Sequence, residues 1–139
     1  MGDEKFKFSI ETAKENLEKM FEYYEINIDE IEDEELRKHI KAGYDRLVKA
    51  VRLGRLEIDV SGKGIQIMQT LRSGGDPIIY REIDGAAKCE MDGFPAQAYN
   101  KKAQALMGAL SGLGMGAIKN LKSVDLSLAE VLGLIFLAV

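Results

Sequence analysis

Histidine and cysteine are almost missing from this chain, which has one of each, His39 and Cys89. A lone thiol cannot close an internal disulfide, so a disulfide-built secreted scaffold is excluded. Zinc centres are assembled from several imidazoles and thiolates, and two such groups far apart in sequence predict no metal site. Surplus positive charge is missing as well. Nineteen Lys and Arg face 23 Asp and Glu, for a net charge of -4, whereas a nucleic-acid binder needs a basic face for phosphates. Long apolar runs are scarce. The longest, Leu126 to Val139, is interrupted by Glu130 and falls short of the about 20 residues a membrane span requires. The start, Met1-Gly2-Asp3-Glu4-Lys5, is charged and is followed by no apolar signal stretch. Phe6 stands where a myristoylation signal beginning at Gly2 needs Ser or Thr. The expectation from these absences is a cytoplasmic protein without metal, cofactor, nucleic acid or membrane partner.

What is present suits one folded domain. The chain has 139 residues, 46% hydrophobic and 30% charged, enough to bury a real core. Its pattern predicts an α+β fold in three parts. Residues 1–54 read as a helical hairpin. Ile10, Ala13, Leu17, Met20, Phe21 and Tyr24 recur at helical spacing behind Ser9 as a cap. Leu36, Ile40, Gly43, Leu47 and Val51 form a second stripe, with Asp29, Glu32 or Asp33 as start signals and Gly54 as a stop. Residues 55–83 read as a three-stranded antiparallel β-meander. Leu56, Ile58 and Val60 alternate with acids, Ser61-Gly62-Lys63-Gly64 and Ser73-Gly74-Gly75-Asp76-Pro77 make turns, and Ile78 to Ile83 is the third strand. Residues 84–139 are helical again, with Ser123 or Asp125 as the cap of the last helix.

The motifs point away from chemistry. Ser61-Gly62-Lys63-Gly64 lies between strands and lacks the spacing of a phosphate loop. Gly112-Leu113-Gly114-Met115-Gly116 follows no strand, so it is no dinucleotide fingerprint. His39 stands among Arg37, Lys38 and Lys41, which disfavour an imidazolium, and reads as a surface residue. Cys89 reads as packing. The acids of residues 29–35 lack calcium-loop spacing. No catalytic residue is expected.

Charge is unevenly spread. Residues 1–35 carry 13 acids and 4 bases, while residues 36–56 carry 7 bases and one acid, Asp45. Solvated faces of a hairpin explain this, and a charged docking surface is the sharper alternative. Phe21 and Tyr24 belong to the buried stripe; Tyr23 lies off it and is open to a partner. At the carboxyl end, residues 131–139 are apolar almost all round. Such a helix must be buried, in its own core or against another polypeptide. Leu134, Ile135, Phe136 and Leu137 are accordingly expected to meet a partner or a second copy of the chain, with core closure the competing use.

From about Gly64 to the end the chain resembles the small tail assembly chaperones of contractile-tailed bacteriophages and prophages, of the Mu-like and P2-like kind. The likeness runs through Tyr80-Arg81-Glu82-Ile83, the short helix ending Met91-Asp92-Gly93, and a helix over residues 102–113. It continues through Ala117-Ile118-Lys119-Asn120-Leu121 and the last helix, Val124-Asp125-Leu126-Ser127-Leu128-Ala129-Glu130-Val131-Leu132. Ile83-Asp84 and Ala86-Ala87 depart from the family pattern, and the N-terminal helical pair is extra to its short form. The resemblance implies a non-catalytic protein of the host cytoplasm that binds a tail tape-measure protein during assembly. The alternatives are a regulatory adaptor or structural virion component binding through the charged N-terminal helices, and a small enzyme with a pocket on His39, Tyr44 or Cys89.

Overall fold

Ser9 begins the first helix as expected. In the computed structural model, which describes residues 5–139, its Oγ accepts a hydrogen bond from the Thr12 amide at 3.1 Å. Met1 to Glu4, with the expectations attached to Gly2, lie outside the described residues. Helix α1 (Ile10–Tyr23) buries Ala13, Leu17, Met20 and Phe21. Its end is a Schellman turn: Ile26 N donates to Phe21 O at 2.9 Å and Glu25 N to Glu22 O at 3.1 Å. Glu25 takes φ 55 there, a left-handed conformation that costs a residue with a Cβ about 1–2 kcal/mol. A short 3-10 turn, Ile28–Glu30, leads to helix α2 (Glu34–Arg52). Of the three start signals, Asp33 is the cap, accepting from Leu36 N at 3.1 Å. Helix α2 has acids in its first turn and Lys49 and Arg52 in its last, matching the helix dipole. Helix α1 has no base in its last turn, where Glu22 sits.

Gly54, at φ 77, stops α2 as expected and turns the chain into the meander. Strands β1 (Leu56–Ser61), β2 (Gly64–Gln69) and β3 (Ile78–Tyr80) are antiparallel in the order β1-β2-β3, with Leu56 opposite Gln69 and Ile67 opposite Tyr80. Period two holds: Leu56, Ile65, Ile67, Gln69, Ile78 and Tyr80 are buried, while Glu57, Gln66 and Ile79 face solvent. The third strand is shorter than the expected residues 78–83. Arg81 N donates instead to Leu110 O of the following helical layer, at 3.1 Å, so the ladder ends at Tyr80.

Helices α3 (Gly85–Cys89), α4 (Tyr99–Ser111), α5 (Met115–Lys119) and α6 (Ser123–Phe136) complete the α+β fold. Neither expected cap serves α6. Ser123 lies inside it, and Asp125 is buried with its carboxylate turned to the loop after β2. Helix α6 runs between α2 and α4 at close range. A Cβ on Gly43 would stand 2.6 Å from a Val131 methyl, and one on Gly133 would stand 2.6 Å from the Ala103 Cβ. Those approaches let two helices cover opposite flanks of α6.

That placement corrects the expectation for the carboxyl end. Leu134, Ile135 and Phe136 are enclosed by the chain itself, with Ile135 fully buried, and Leu137 is half-buried at the helix end. An all-round apolar helix meets its need for cover at the centre of the fold, so the C-terminal helix offers no free apolar face. Among the described residues no helix is long and apolar enough to cross a membrane.

Candidate functional site

Tyr23 fastens two parts of the molecule. It sits at the end of α1, half-exposed, and its hydroxyl donates to Glu82 Oε1 at 2.6 Å. That bond raises the Tyr23 pKa above its ordinary value. Its ring meets Tyr24 edge-on at 5.4 Å, and Tyr24 meets Phe136 at 5.3 Å. Tyr24 Oη accepts from Ile83 N at 3.3 Å, and burial pushes its pKa up to about 12. Tyr23 therefore joins α1 to the segment after β3, while the other expected partner residues, Leu134, Ile135, Phe136 and Leu137, pack in and around the core.

The titratable groups singled out in the sequence do not converge. His39 is exposed, its ring 5.4 Å from that of Tyr99. Tyr99 in turn donates to the Asp33 carboxylate at 2.9 Å. The bond Asp33 accepts from Leu36 N, then that of Tyr99, holds its carboxyl below the usual range. Cys89 is exposed rather than packed, and Ala87 is the buried residue of α3. Among the described residues no group of three His, Cys, Asp or Glu could hold a metal ion.

A polar cluster that sequence reasoning missed lies inside the fold. Tyr80 Oη donates to Gln69 Oε1 at 2.7 Å, and Gln69 Nε2 donates to Asp125 O at 2.9 Å. The Asp125 carboxylate accepts from Arg72 N at 2.8 Å and Ser73 N at 3.2 Å. Burial of polar groups is tolerable when each has a partner, and these do. The cluster ties the loop after β2 to the start of α6, so its part is architectural.

A cleft of about 480 Å³ lies on the N-terminal layer, between α1, the 3-10 turn and α2. The buried Phe21 and the half-buried Tyr44 line it, their rings stacked with centroids 6.4 Å apart. The Schellman turn brings Ile26 up beside Phe21, and Ile28 follows two residues later. Glu18 stands on one rim. Asp29 stands on the other and takes an ion pair from Lys41 at 2.7 Å. Lys41 holds the Asp29 carboxyl below its usual range. Burial, then the charges of Glu18 and Asp45, raise the Tyr44 pKa. Both partners of the Asp29–Lys41 pair are more than half exposed, so it adds little stability and opens readily. The helical stripe brought out Phe21 in the sequence. Ile26 and Ile28 went unmarked, and the signal available was a set of isoleucines in an otherwise acidic connection. The cleft thus combines a half-buried apolar lining with charged residues at its edges.

No family model matches this chain, and no curated protein or solved structure does.

Proposed function

We propose that this protein is a non-catalytic assembly factor of the phage tail chaperone kind, which binds a tape-measure protein while the tail is built. One observation carries the binding part: the open groove of Phe21, Ile26, Ile28 and Tyr44 on the N-terminal layer. The class of partner rests on the resemblance from about Gly64 onward. The segments that carry it fall on consecutive elements, β3 through α6. The enclosed C-terminal helix is not used for binding in this reading.

Co-expression with the tape-measure protein of the same genome tests it. The tape-measure protein alone is expected in the insoluble fraction, and together the two should elute as one complex on size exclusion. An insoluble tape-measure protein in both cases, with no complex, would defeat the proposal.

The second reading, an adaptor or structural virion component, draws on the exposed acidic row Glu11, Glu15, Glu18 and Glu22 along α1. Mass spectrometry of purified particles separates the two: a chaperone is absent from the finished virion and a structural component is retained.

A further inference from the structure

The groove on the N-terminal layer has features that its own packing does not require. Its apolar lining, Ile26, Ile28 and Tyr44, is half-buried over a buried Phe21 and keeps part of its surface uncovered. Its surroundings are acidic. Glu18 and Asp29 stand on the rims, and Glu22, Glu25 and Glu30 are exposed nearby in sequence. Against these five acids stand Lys41, already paired with Asp29, Arg37, which donates to Ile31 O and also acts on Asp29, and Lys14, one turn before Glu18 on α1, so the acids stay in excess. Lys38 pairs with Glu34.

The acids also sit where the local backbone disfavours them. Glu22 lies in the last turn of α1, at the negative end of the helix dipole. Glu25 follows in the left-handed position that glycine normally fills in a Schellman turn. A conflict of this sort between local preference and residue type is expected at positions kept for another purpose.

We infer that this groove receives one face of a basic amphipathic helix supplied by a protein partner. Apolar side chains spaced three and four residues apart would rest on Tyr44, Ile26 and Ile28, as in other helix-in-groove interfaces. Flanking Lys or Arg would meet Glu18, Glu22, Glu25 and Asp29, with Asp29 exchanging Lys41 for a partner cation. The groove contributes contact area, and the rim selects charge and speeds encounter. The inference rests on the protein-binding reading above and assigns that reading a surface and a partner chemistry.

The full chain is titrated with a fluorescent helix-forming peptide of about 18 residues, with Leu on one face and Lys on the other. A second peptide carries Glu at every Lys position. Anisotropy should show the Lys peptide binding at least about tenfold tighter than the Glu peptide, with the preference shrinking as salt screens the rim. Ile28→Asp, at a half-exposed position, should weaken the Lys peptide about tenfold or more while the fold persists by circular dichroism. Glu25→Gly should raise the melting temperature and weaken the peptide by a few fold, moving stability and binding in opposite directions. Equal affinity for the two peptides, or no effect of Ile28→Asp, overturns the inference. So does a wild-type dimer that Ile28→Asp makes monomeric, because the occupant is then a second copy of the chain. If the tape-measure complex survives both variants, the groove inference fails and the functional reading stands. If the Lys peptide binds and no tape-measure complex forms, the functional reading fails and the groove stands.

Discussion

Helices α1 and α6 have the same length, 14 residues, and opposite fates. Helix α6 is the greasier of the two, and nine of its residues are buried, one of them an aspartate. Helix α1 is studded with glutamates, buries four residues, and forms one wall of the open groove. Apolarity therefore marks the middle of this molecule. The surface proposed for a partner is the one where acids crowd a small, half-buried apolar lining. A continuous apolar segment demands cover without saying who provides it, and here α2 and α4 provide it.

The sharpest way to break this contrast is to truncate α6. Phe136→Ala should destabilise the chain by about 3–5 kcal/mol in urea titration, because the ring is enclosed and its cavity cannot refill. A loss below about 1 kcal/mol would return the carboxyl end to the surface. Deleting residues 134–139 should abolish cooperative unfolding altogether.

The next largest effect concerns the polar end of the same helix. Asp125→Ala leaves the Arg72 and Ser73 amides without their acceptor, and a cost of about 1.5–3 kcal/mol is expected in the same titration.

On the α1 side, alkali should act through Tyr24. Its folded pKa, about 12, lies above the ordinary 10.0. The folded state keeps the proton longer than the unfolded state does. The stabilisation is therefore complete below pH 10 and is lost as pH rises toward 12. The ring is only half enclosed, so the loss is of order 1 kcal/mol after allowing for solvent screening. Tyr24→Phe should flatten the fall of the unfolding midpoint across that window. The smallest effect belongs to Tyr23→Phe. Removing its exposed bond to Glu82 should lower the melting temperature only slightly, and leave α6 as protected from hydrogen exchange as before.

Local signals were legible where local physics decides. Ser9, Asp33 and Gly54 work at the helix ends where capping chemistry places them, and the β1–β2 hairpin follows from alternation around a glycine turn. The errors are non-local. The third strand stops early because Leu110, thirty residues beyond Tyr80, takes the next amide. Asp125 reads as a helix cap and instead serves a loop more than fifty residues earlier. Leu134, Ile135 and Phe136 read as partner contacts because nothing in their own segment reveals that Gly43 and Ala103 admit two neighbours so closely. The groove was half visible. Phe21 could be assigned to the packed stripe, but Ile26 and Ile28 acquire their place only from the turn that ends α1.

Gln69 gives β2 a single permissible alignment. Shift that strand by one position and a methionine, Met68, would face Tyr80 and the α6 backbone, while the amide swung out into water. The phenol and the Asp125 carbonyl would then be stranded in a dry interior, a heavier cost than any misplaced methyl group. One side chain thus ties the register of the sheet to the closing of α6 over it, since only the correct alignment satisfies both.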